Sequence, residues 1–313
     1  MSDHASALLP MLRRRLTVAL LTLIGVATVV FLMVRLLPGD PAETMLARAG
    51  AGPVAVAALR AELGLDRPLL VQYTEWLGRA ARGDFGRSLL TNRPVFELIA
   101  EQWRSTAVLA ALAFSWALIT GVLLGIVAAR YHRRWPDRFA TTVAVLGVAV
   151  PIYWSGLLLI FALSNWLGWL PPPAGTPASA LLPAAVLGMA AAGPIARVTR
   201  ASLLDVLAQP YITAARARGL SWRAVLWRHA ARNAAVPVLT VAGLQLGFLL
   251  GGAVVTESVF NRPGMGRLLV DGILWRDLPL VQGVALALAA TYVLINLLVD
   301  LLAGWLDPRQ GWR

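Results

Sequence analysis

The chain has 313 residues, of which 58% are hydrophobic and 14% charged, and its formal net charge is +12. Soluble domains have roughly 45–50% apolar and about 25% charged residues, so this composition excludes an ordinary soluble globular domain. All 28 basic residues are arginine and cysteine is absent, which excludes a lysine-containing phosphate-binding loop, a lysine Schiff base, disulfides and zinc–thiolate sites formed by this chain.

Five runs contain no charged residue, at 17–34, 105–129, 139–196, 234–256 and 278–299. A helix needs about 20 apolar residues to cross the hydrocarbon core of a bilayer. Four runs therefore predict one span each, and the run at 139–196 predicts two, separated by a proline-rich turn at 171–177. The fold class that follows is an all-α integral membrane protein with six transmembrane helices.

The predicted organisation begins with an N-terminal segment at 1–14, span 1 at 15–36 and a large loop at 37–104. The rest of the chain, 105–313, holds spans 2–6 at about 105–129, 139–164, 180–200, 234–257 and 279–303, with a loop at about 201–233. Arginines precede span 1 as in a signal peptide, but its apolar run exceeds the usual length of about 7–15 residues and no small-x-small cleavage site follows. We therefore expect span 1 to be retained.

The arginines are concentrated on one side of this six-span arrangement, in the groups 13–15, 130–138, 197–232 and 309–313. On the other side, the loop at 37–104 holds eight arginines and eight acids. Cytoplasmic loops of membrane proteins are enriched in arginine and lysine, so both termini are predicted to be cytoplasmic. Membrane topology thus explains the positive charge, and we expect lipid rather than nucleic acid as its neighbour.

The loop at 37–104 is predicted to form a compact helical cap on the extracytoplasmic side. Apolar residues recur at three- and four-residue spacing over 54–63 and 69–82, which is typical of amphipathic helices. A further helical stretch is expected from 95 to 103. The cap is either a lid without a specific partner or the docking surface of a soluble protein.

The loop at 201–233 is basic and short. Pro210 is expected to interrupt the helix that leaves span 4, and Gly219 to end the next helix in a left-handed conformation. Ser221 is a favourable N-cap for a helix over 222–235, and Pro237 marks the expected start of span 5. A partner protein and the phosphates of an anionic membrane surface both explain such a segment.

One run within this loop carries a family resemblance. Residues 211–221 read YITAARARGLS, with Val236-Pro237 downstream. The run resembles the EAA loop of ABC-transporter permeases, in the version found in the dipeptide/oligopeptide/nickel importer family. Thr213 stands where the general pattern has glutamate, and Pro210 where an acid is common. Other segments typical of the first of the two permease subunits of that family are RLLPGDP at 35–41, ELGLDRP at 62–68, GDFGRS at 83–88, ESVF at 257–260 and PGMG at 263–266.

The resemblance implies a type I ABC importer permease fold in a bacterial cytoplasmic (inner) membrane. It implies four further components: a second homologous permease subunit, two cytoplasmic ATPase subunits that bind ATP and Mg²⁺, and an extracytoplasmic substrate-binding protein. This chain would then have no catalytic residue, no metal site and no cofactor of its own. The residues that it assigns to the ATPase-coupling loop are Tyr211, Thr213, Ala214, Ala215, Arg216, Arg218, Gly219, Ser221 and Arg223, with a coupling helix at about 214–227.

The resemblance also implies ATP-driven import by alternating access, with di- or oligopeptides as the expected substrate. Glutathione-type and nickel-chelate import are the alternatives within the family. A secondary transporter is the alternative outside it, but such proteins place ionisable residues at mid-membrane, and the charge-free runs contain none. Glu257, at the predicted end of span 5, is either a gate residue or a structural cap.

Overall fold

In the computed structural model, residues 2–36, 42–43, 52–62, 64–168 and 177–306 are described. Over these residues the fold is helical, and the one extended pairing is an isolated bridge between Arg87 and Pro94. We label the helices α1 (Ser2–Leu36), α2 (Pro53–Glu62), α3 (Leu69–Ala80), α4 (Val95–Arg130), α5 (Trp135–Ala149), α6 (Ile152–Leu159), α7 (Leu181–Leu207), α8 (Pro210–Ala217), α9 (Trp222–Val225), α10 (Ala231–Val259), α11 (Met265–Trp275) and α12 (Leu278–Leu306). Two π-helical segments, Ile160–Trp166 and Leu226–Ala230, follow α6 and α9.

Several of these helices are long and apolar enough to cross a membrane. In the described part of the chain they are Arg13–Met33, Val95–Arg130, Leu181–Leu207, Trp222–Val259 and Leu278–Val299. A further candidate combines α5 with Ile152–Leu163, and these two helices meet at an angle of 105°. The prediction of an all-α, multi-span membrane protein is confirmed, and the side of the membrane on which each loop lies stays a prediction.

Within the predicted span at 139–164 the chain leaves the helical conformation at Val150 and Pro151, so two helices, α5 and α6, occupy this region. That they form one span stays a prediction. Val150 has φ −82° and ψ 124°, and Pro151 has φ −58° and ψ 137°. A residue that precedes proline is disfavoured in the helical region, and proline itself has no N–H for the helix ladder. The proline-rich turn predicted further on lies mostly outside the described residues, at 169–176.

Two predicted helix boundaries are absent. The stretch predicted at 95–103 and span 2 form one helix, α4, and residues 222–259 run as one helical stretch through the π-helical segment. Pro237 lies inside α10 instead of starting it. The separate helix predicted at 222–235 is therefore wrong, and so is a single coupling helix over 214–227, because α8 ends at Ala217.

The chain forms two compact units, Met1–Ser105 with Pro263–Leu294, and Thr106–Arg262 with Ile295–Arg313. In the first unit, α2 and α3 match the amphipathic helices predicted at 54–63 and 69–82. Asp277 caps α12 by accepting hydrogen bonds from Leu280 N (3.2 Å) and from Ser88 Oγ (2.6 Å). Asp277 thereby fixes the segment after α3 to the start of α12.

The second unit is built around α7, which packs against α4, α5 and α10. Its core is rich in small residues, including Ala113, Ala191, Ala192 and Ala253. A Cβ added at Gly188 of α7 would lie 2.6 Å from the carbonyl oxygen of Ala113 in α4. Small residues of this kind let helix backbones approach closely within a membrane. This close packing fixes the position of α7, and the basic loop begins where α7 ends, at Leu207.

Candidate functional site

The basic loop begins with a short helix that has one packed face. Gln209 is extended (φ −71°, ψ 144°), and Pro210 occupies the first turn of α8, where its missing N–H costs no hydrogen bond. Ile212 and Ala215 are buried and, being three residues apart, lie on one side of the helix. The remaining side chains of α8 are exposed, so the helix shows a continuous outer surface.

The end of α8 is fixed by a left-handed glycine. Gly219 has φ +83°, its N–H donates to Arg216 O (2.9 Å), and Leu220 N–H donates to Ala215 O (3.3 Å). These paired bonds are the Schellman arrangement, which satisfies the last carbonyls of a helix. Among the described residues other than its two chain neighbours, no atom lies within 4 Å of a Cβ built at Gly219, so glycine is required here by its backbone conformation and not by crowding.

The next helix, α9, begins at Trp222 with Ser221 as its N-cap, as predicted. The Ser221 side-chain oxygen accepts a hydrogen bond from Ala224 N (3.4 Å), and the backbone of Ser221 is extended (φ −64°, ψ 157°). An N-cap of this kind satisfies one of the free N–H groups of the first turn. Val225 and Leu226, which follow, are buried. The turn between the two helices thus has defined caps on both sides.

The loop rests on a small apolar cluster beneath it. Ala129, Leu203, Leu226, Ala230 and Ala234 are buried together, and Trp222 packs against them. The guanidinium carbons of Arg130 and Arg216 lie 5.9 and 5.7 Å from the centroid of the Trp222 ring, within the range of a cation–π interaction. Tyr211 Oη accepts a hydrogen bond from Asn233 Nδ2 (2.9 Å). These contacts hold the loop from below and leave its outer surface free.

The residues that the sequence predicted for the loop all lie on α8, on α9 or in the turn between them, and they differ in exposure to solvent. Ala215 points inward and helps to anchor α8, so it is a packing residue and cannot face a partner directly. The others are exposed, namely Tyr211, Thr213, Ala214, Arg216, Arg218, Gly219, Ser221 and Arg223. Their role in coupling stays a prediction.

Sequence reasoning missed an ion pair at the base of this loop. Arg200 donates to both carboxylate oxygens of Asp137, from Nε (2.8 Å) and from a terminal nitrogen (2.9 Å). Arg133 N–H also donates to Asp137 (2.8 Å), and His132 Nδ1 lies 3.1 Å from Arg200. The signal in the sequence was that Asp137 is the one acid between Glu101 and Asp205, within a group of arginines.

Glu257 lies near the end of α10 and is fully buried. Its carboxylate accepts a hydrogen bond from Thr106 Oγ1 (2.6 Å), and its backbone carbonyl accepts one from Arg262 N (2.9 Å). Burial lowers the pKa of the Arg262 guanidinium, and the nearby Glu257 carboxylate acts in the opposite direction. Both interpretations of Glu257, as a gate residue and as a structural cap, stay predictions.

The candidate spans place the chain among multi-pass integral membrane proteins, and comparison with known proteins identifies the family. Residues 121–312 match the family described as binding-protein-dependent transport system inner membrane component. Residues 8–110 match the corresponding N-terminal family. The chain therefore belongs to the inner membrane components of binding-protein-dependent transport systems. It is a multi-pass inner membrane permease of an ABC importer.

Curated relatives extend over almost the whole chain. The glutathione transport system permease proteins GsiC of Salmonella typhimurium and of Escherichia coli K12 are each 44% identical to it over 301 residues. Those matches cover 96% of this chain and 98% of each relative. The predicted membership of the dipeptide/oligopeptide type of ABC permease is confirmed.

Solved structures share the fold at low sequence identity. The MetNI methionine ABC transporter, in inward-facing conformations, matches with a TM-score of 0.57 and 16% identity, over 67% of this chain and 96% of that chain. An amino acid ABC transporter matches with a TM-score of 0.52 and 17% identity, over 68% and 94%. The predicted type I importer permease fold is confirmed.

Proposed function

We propose that the outer surface of residues 210–223 receives a cytoplasmic ATPase subunit, and that its movements open and close the transport pathway. The observation that carries the proposal is the basic turn with a hydrogen-bonded cap on each side, since α8 ends in a Schellman motif and α9 begins after a serine cap. A loop that transmits the movement of an ATPase to the spans must keep its own conformation. The backbone hydrogen bonds of the turn and the apolar cluster around Leu226 hold the loop in this conformation.

The charge of the surface supports a protein partner with acidic side chains. Arg218 and Arg223 are exposed, and neither has an ion-pair partner among the described residues. Such guanidinium groups are available for bidentate pairing with carboxylates. Exposed small residues that precede them on α8, Ala214 and Ala217, allow the partner to approach the helix backbone closely.

The assembly that follows has a second, similar permease subunit, two ATPase subunits and an extracytoplasmic binding protein. ATP and Mg²⁺ are bound by the ATPase subunits, and this chain contributes the pathway without catalysing hydrolysis. The arginine-rich loops and both termini lie in the cytoplasm, in line with the positive-inside rule. The helical segment before α4 then faces the binding protein.

For the substrate we propose a small peptide, and glutathione in particular. Glutathione is itself a tripeptide, so import of glutathione and import of short peptides belong to the same chemistry. The relatives that are 44% identical over nearly the whole chain are named as glutathione permeases. This observation favours glutathione over the nickel-chelate alternative.

The coupling proposal is tested on the complete transporter in liposomes, with ATP hydrolysis measured with and without substrate-loaded binding protein. Arg218→Glu with Arg223→Glu is expected to abolish stimulated hydrolysis or assembly with the ATPase, because reversed charges repel an acidic partner. Arg13→Glu with Arg14→Glu, at exposed positions of α1 outside both the loop and the segment that faces the binding protein, changes the charge equally and should retain both. Full stimulation in the first variant would show that this loop does not couple.

The substrate is tested in the same liposomes by measuring ATP-dependent accumulation of labelled glutathione, a labelled dipeptide and a labelled nickel chelate. We expect glutathione to accumulate above a control without ATP. Accumulation of the nickel chelate alone would overturn the substrate assignment and leave the coupling proposal intact.

A further inference from the structure

A groove between three helices of the second unit has a basic end and an apolar wall. Its volume is about 680 Å³, and it lies between α4, α5 and α7. Arg138, Arg197 and Arg200 line the basic end, together with the hydroxyl groups of Thr141 and Thr142. The wall consists of side chains with no polar atom, namely Leu124, Ala128, Ala140, Ala144 and Ala196.

The charges in the groove do not cancel. Arg200 donates bidentate hydrogen bonds to the carboxylate of Asp137, so the charges of these two residues neutralise each other. Arg138 and Arg197 are exposed, and within the described part of the chain neither has an ion-pair partner. Two positive charges therefore remain at one end of the groove, and they attract an anionic group that the protein itself does not provide.

The surroundings indicate where this end lies relative to the bilayer. Trp135 and Phe139, on the same helix as Arg138, are 74% and 60% exposed, and their rings make an edge-to-face contact at 6.2 Å. Exposed tryptophan is enriched at the boundary between hydrocarbon and water. This pattern favours a position of the arginines at headgroup level, with the alanine-lined wall beside them along the apolar helices.

We propose that this groove binds one anionic phospholipid, with its headgroup phosphate on Arg138 and Arg197 and an acyl chain along the alanine wall. Basic pockets between transmembrane helices on the cytoplasmic side are suited to lipid headgroups, and planar guanidinium groups pair with phosphate oxygens through two hydrogen bonds. A free phosphate ion would contact the arginines but could not fill the part of the groove beside the apolar wall. The amphipathic lining therefore favours a lipid.

The test uses the purified transporter complex and native mass spectrometry, which counts retained phosphatidylglycerol molecules. Arg138→Gln with Arg197→Gln should retain one phosphatidylglycerol fewer per copy of this chain than the unaltered protein. Asp137 and Arg200 are kept, so the buried ion pair is preserved. The matched control is Arg13→Gln with Arg14→Gln, which removes the same charge at exposed positions of α1 and should retain the lipid.

Three outcomes would overturn the proposal. Equal retention by the groove variant would exclude the site, and equal loss in both variants would show general attraction of lipid to basic surface. Displacement of phosphatidylglycerol by excess inorganic phosphate would assign the groove to free phosphate. If the groove variant does not assemble, hydrogen exchange on the unaltered complex decides: phosphatidylglycerol in place of phosphatidylcholine should protect residues 135–149, and no difference would exclude the site.

Discussion

At the scale of single residues, the second unit depends on a charge that is almost completely buried. The Asp137 side chain is 7% exposed, and the Arg200 side chain that neutralises it is 31% exposed. A buried carboxylate is stable only when it is paired and hydrogen-bonded. Asp137 meets this condition through Arg200, through Arg133 N–H and through its position in the first turn of α5, where the helix dipole favours a negative charge.

We predict that Arg200→Gln destabilises the protein more than removal of any exposed arginine. The loss of one partner leaves a buried carboxylate, which costs about 3–5 kcal/mol in fully buried pairs; the partial exposure of Arg200 places the cost near the lower end. The measurement is thermal unfolding of the purified protein in detergent. Arg232→Gln, at an exposed position, serves as the control and should change little.

The double variant Asp137→Asn with Arg200→Gln separates a buried charge from general damage. If the unpaired carboxylate causes the destabilisation, removing its charge should recover much of the lost stability, because a neutral pair can be accommodated more easily. A double variant that is less stable than Arg200→Gln would contradict this explanation.

Residue-level prediction from sequence succeeded where the signal is local. Gly219 and Ser221 were predicted from turn and cap chemistry that acts within four residues. The pairing of Asp137 with Arg200 joins positions that are 63 residues apart, and nothing local selects Arg200 from the many neighbouring arginines. Only the packing of α5 against α7 makes that choice.

At the scale of elements, the turn between α8 and α9 in the basic loop depends on the left-handed backbone conformation of Gly219. Gly219→Ala should raise the free energy of the capped turn by about 1–2 kcal/mol, because residues with a Cβ are disfavoured in the left-handed region. Open space around the position means that no clash adds to this cost. Hydrogen exchange of the amides at 219–220 is expected to accelerate roughly 5–30-fold.

Gly219→Asn provides the matched comparison, since asparagine tolerates the left-handed conformation. It should exchange more slowly than the alanine variant and keep more of the substrate-stimulated ATP hydrolysis. If alanine and asparagine behave alike, the left-handed conformation is not what the loop requires.

The crossing of α4 and α7 gives a second prediction for elements. Gly188→Ala places a methyl group 2.6 Å from the Ala113 carbonyl oxygen, so the backbones must separate. Overpacking of this kind costs about 1–3 kcal/mol. Outside its own helix turn, Gly251→Ala in α10 meets no atom of the described residues within 4 Å. It should be neutral or slightly stabilising, because alanine is the better helix former. Thermal unfolding compares the two, and equal melting temperatures would contradict close packing at Gly188.

The charge-free runs correctly predicted that long helices exist. They did not predict where those helices are interrupted. Pro151 and Pro237 are both prolines within apolar runs, yet only Pro151 ends a helix. Proline removes one hydrogen bond in either place, and neighbouring structure decides whether the helix continues. The π-helical segment at Leu226–Ala230 lies just before α10 and has no sequence signal that we recognise.

At the scale of the whole molecule, the number of membrane crossings depends on the bent pair of α5 and α6. A broken span carries the chain to the opposite side, whereas a re-entrant loop returns it to the side from which it came. The angle of 105° between the two helices is compatible with both. Six crossings are required for both termini to lie in the cytoplasm with the loop at 37–104 outside.

We predict that the bent pair crosses the membrane, and the absence of cysteine from the chain makes this directly measurable. Thr91→Cys lies before α4 and Ala208→Cys follows α7, and both positions are exposed. Three crossings between them place the cysteines on opposite sides, and two crossings place them on the same side. In right-side-out vesicles, a membrane-impermeant maleimide should therefore label Thr91→Cys and leave Ala208→Cys unlabelled until the membrane is opened.

The unaltered cysteine-free chain is the control and should take up no label under either condition. Inside-out vesicles should reverse the pattern, which also tests the cytoplasmic placement of the basic loop. Labelling of both positions from the same side would show that α5 and α6 form a re-entrant loop. The positive-inside argument would then fail for one half of the chain, because the arginines before α5 and those after α7 could no longer both be cytoplasmic with the outer segment outside.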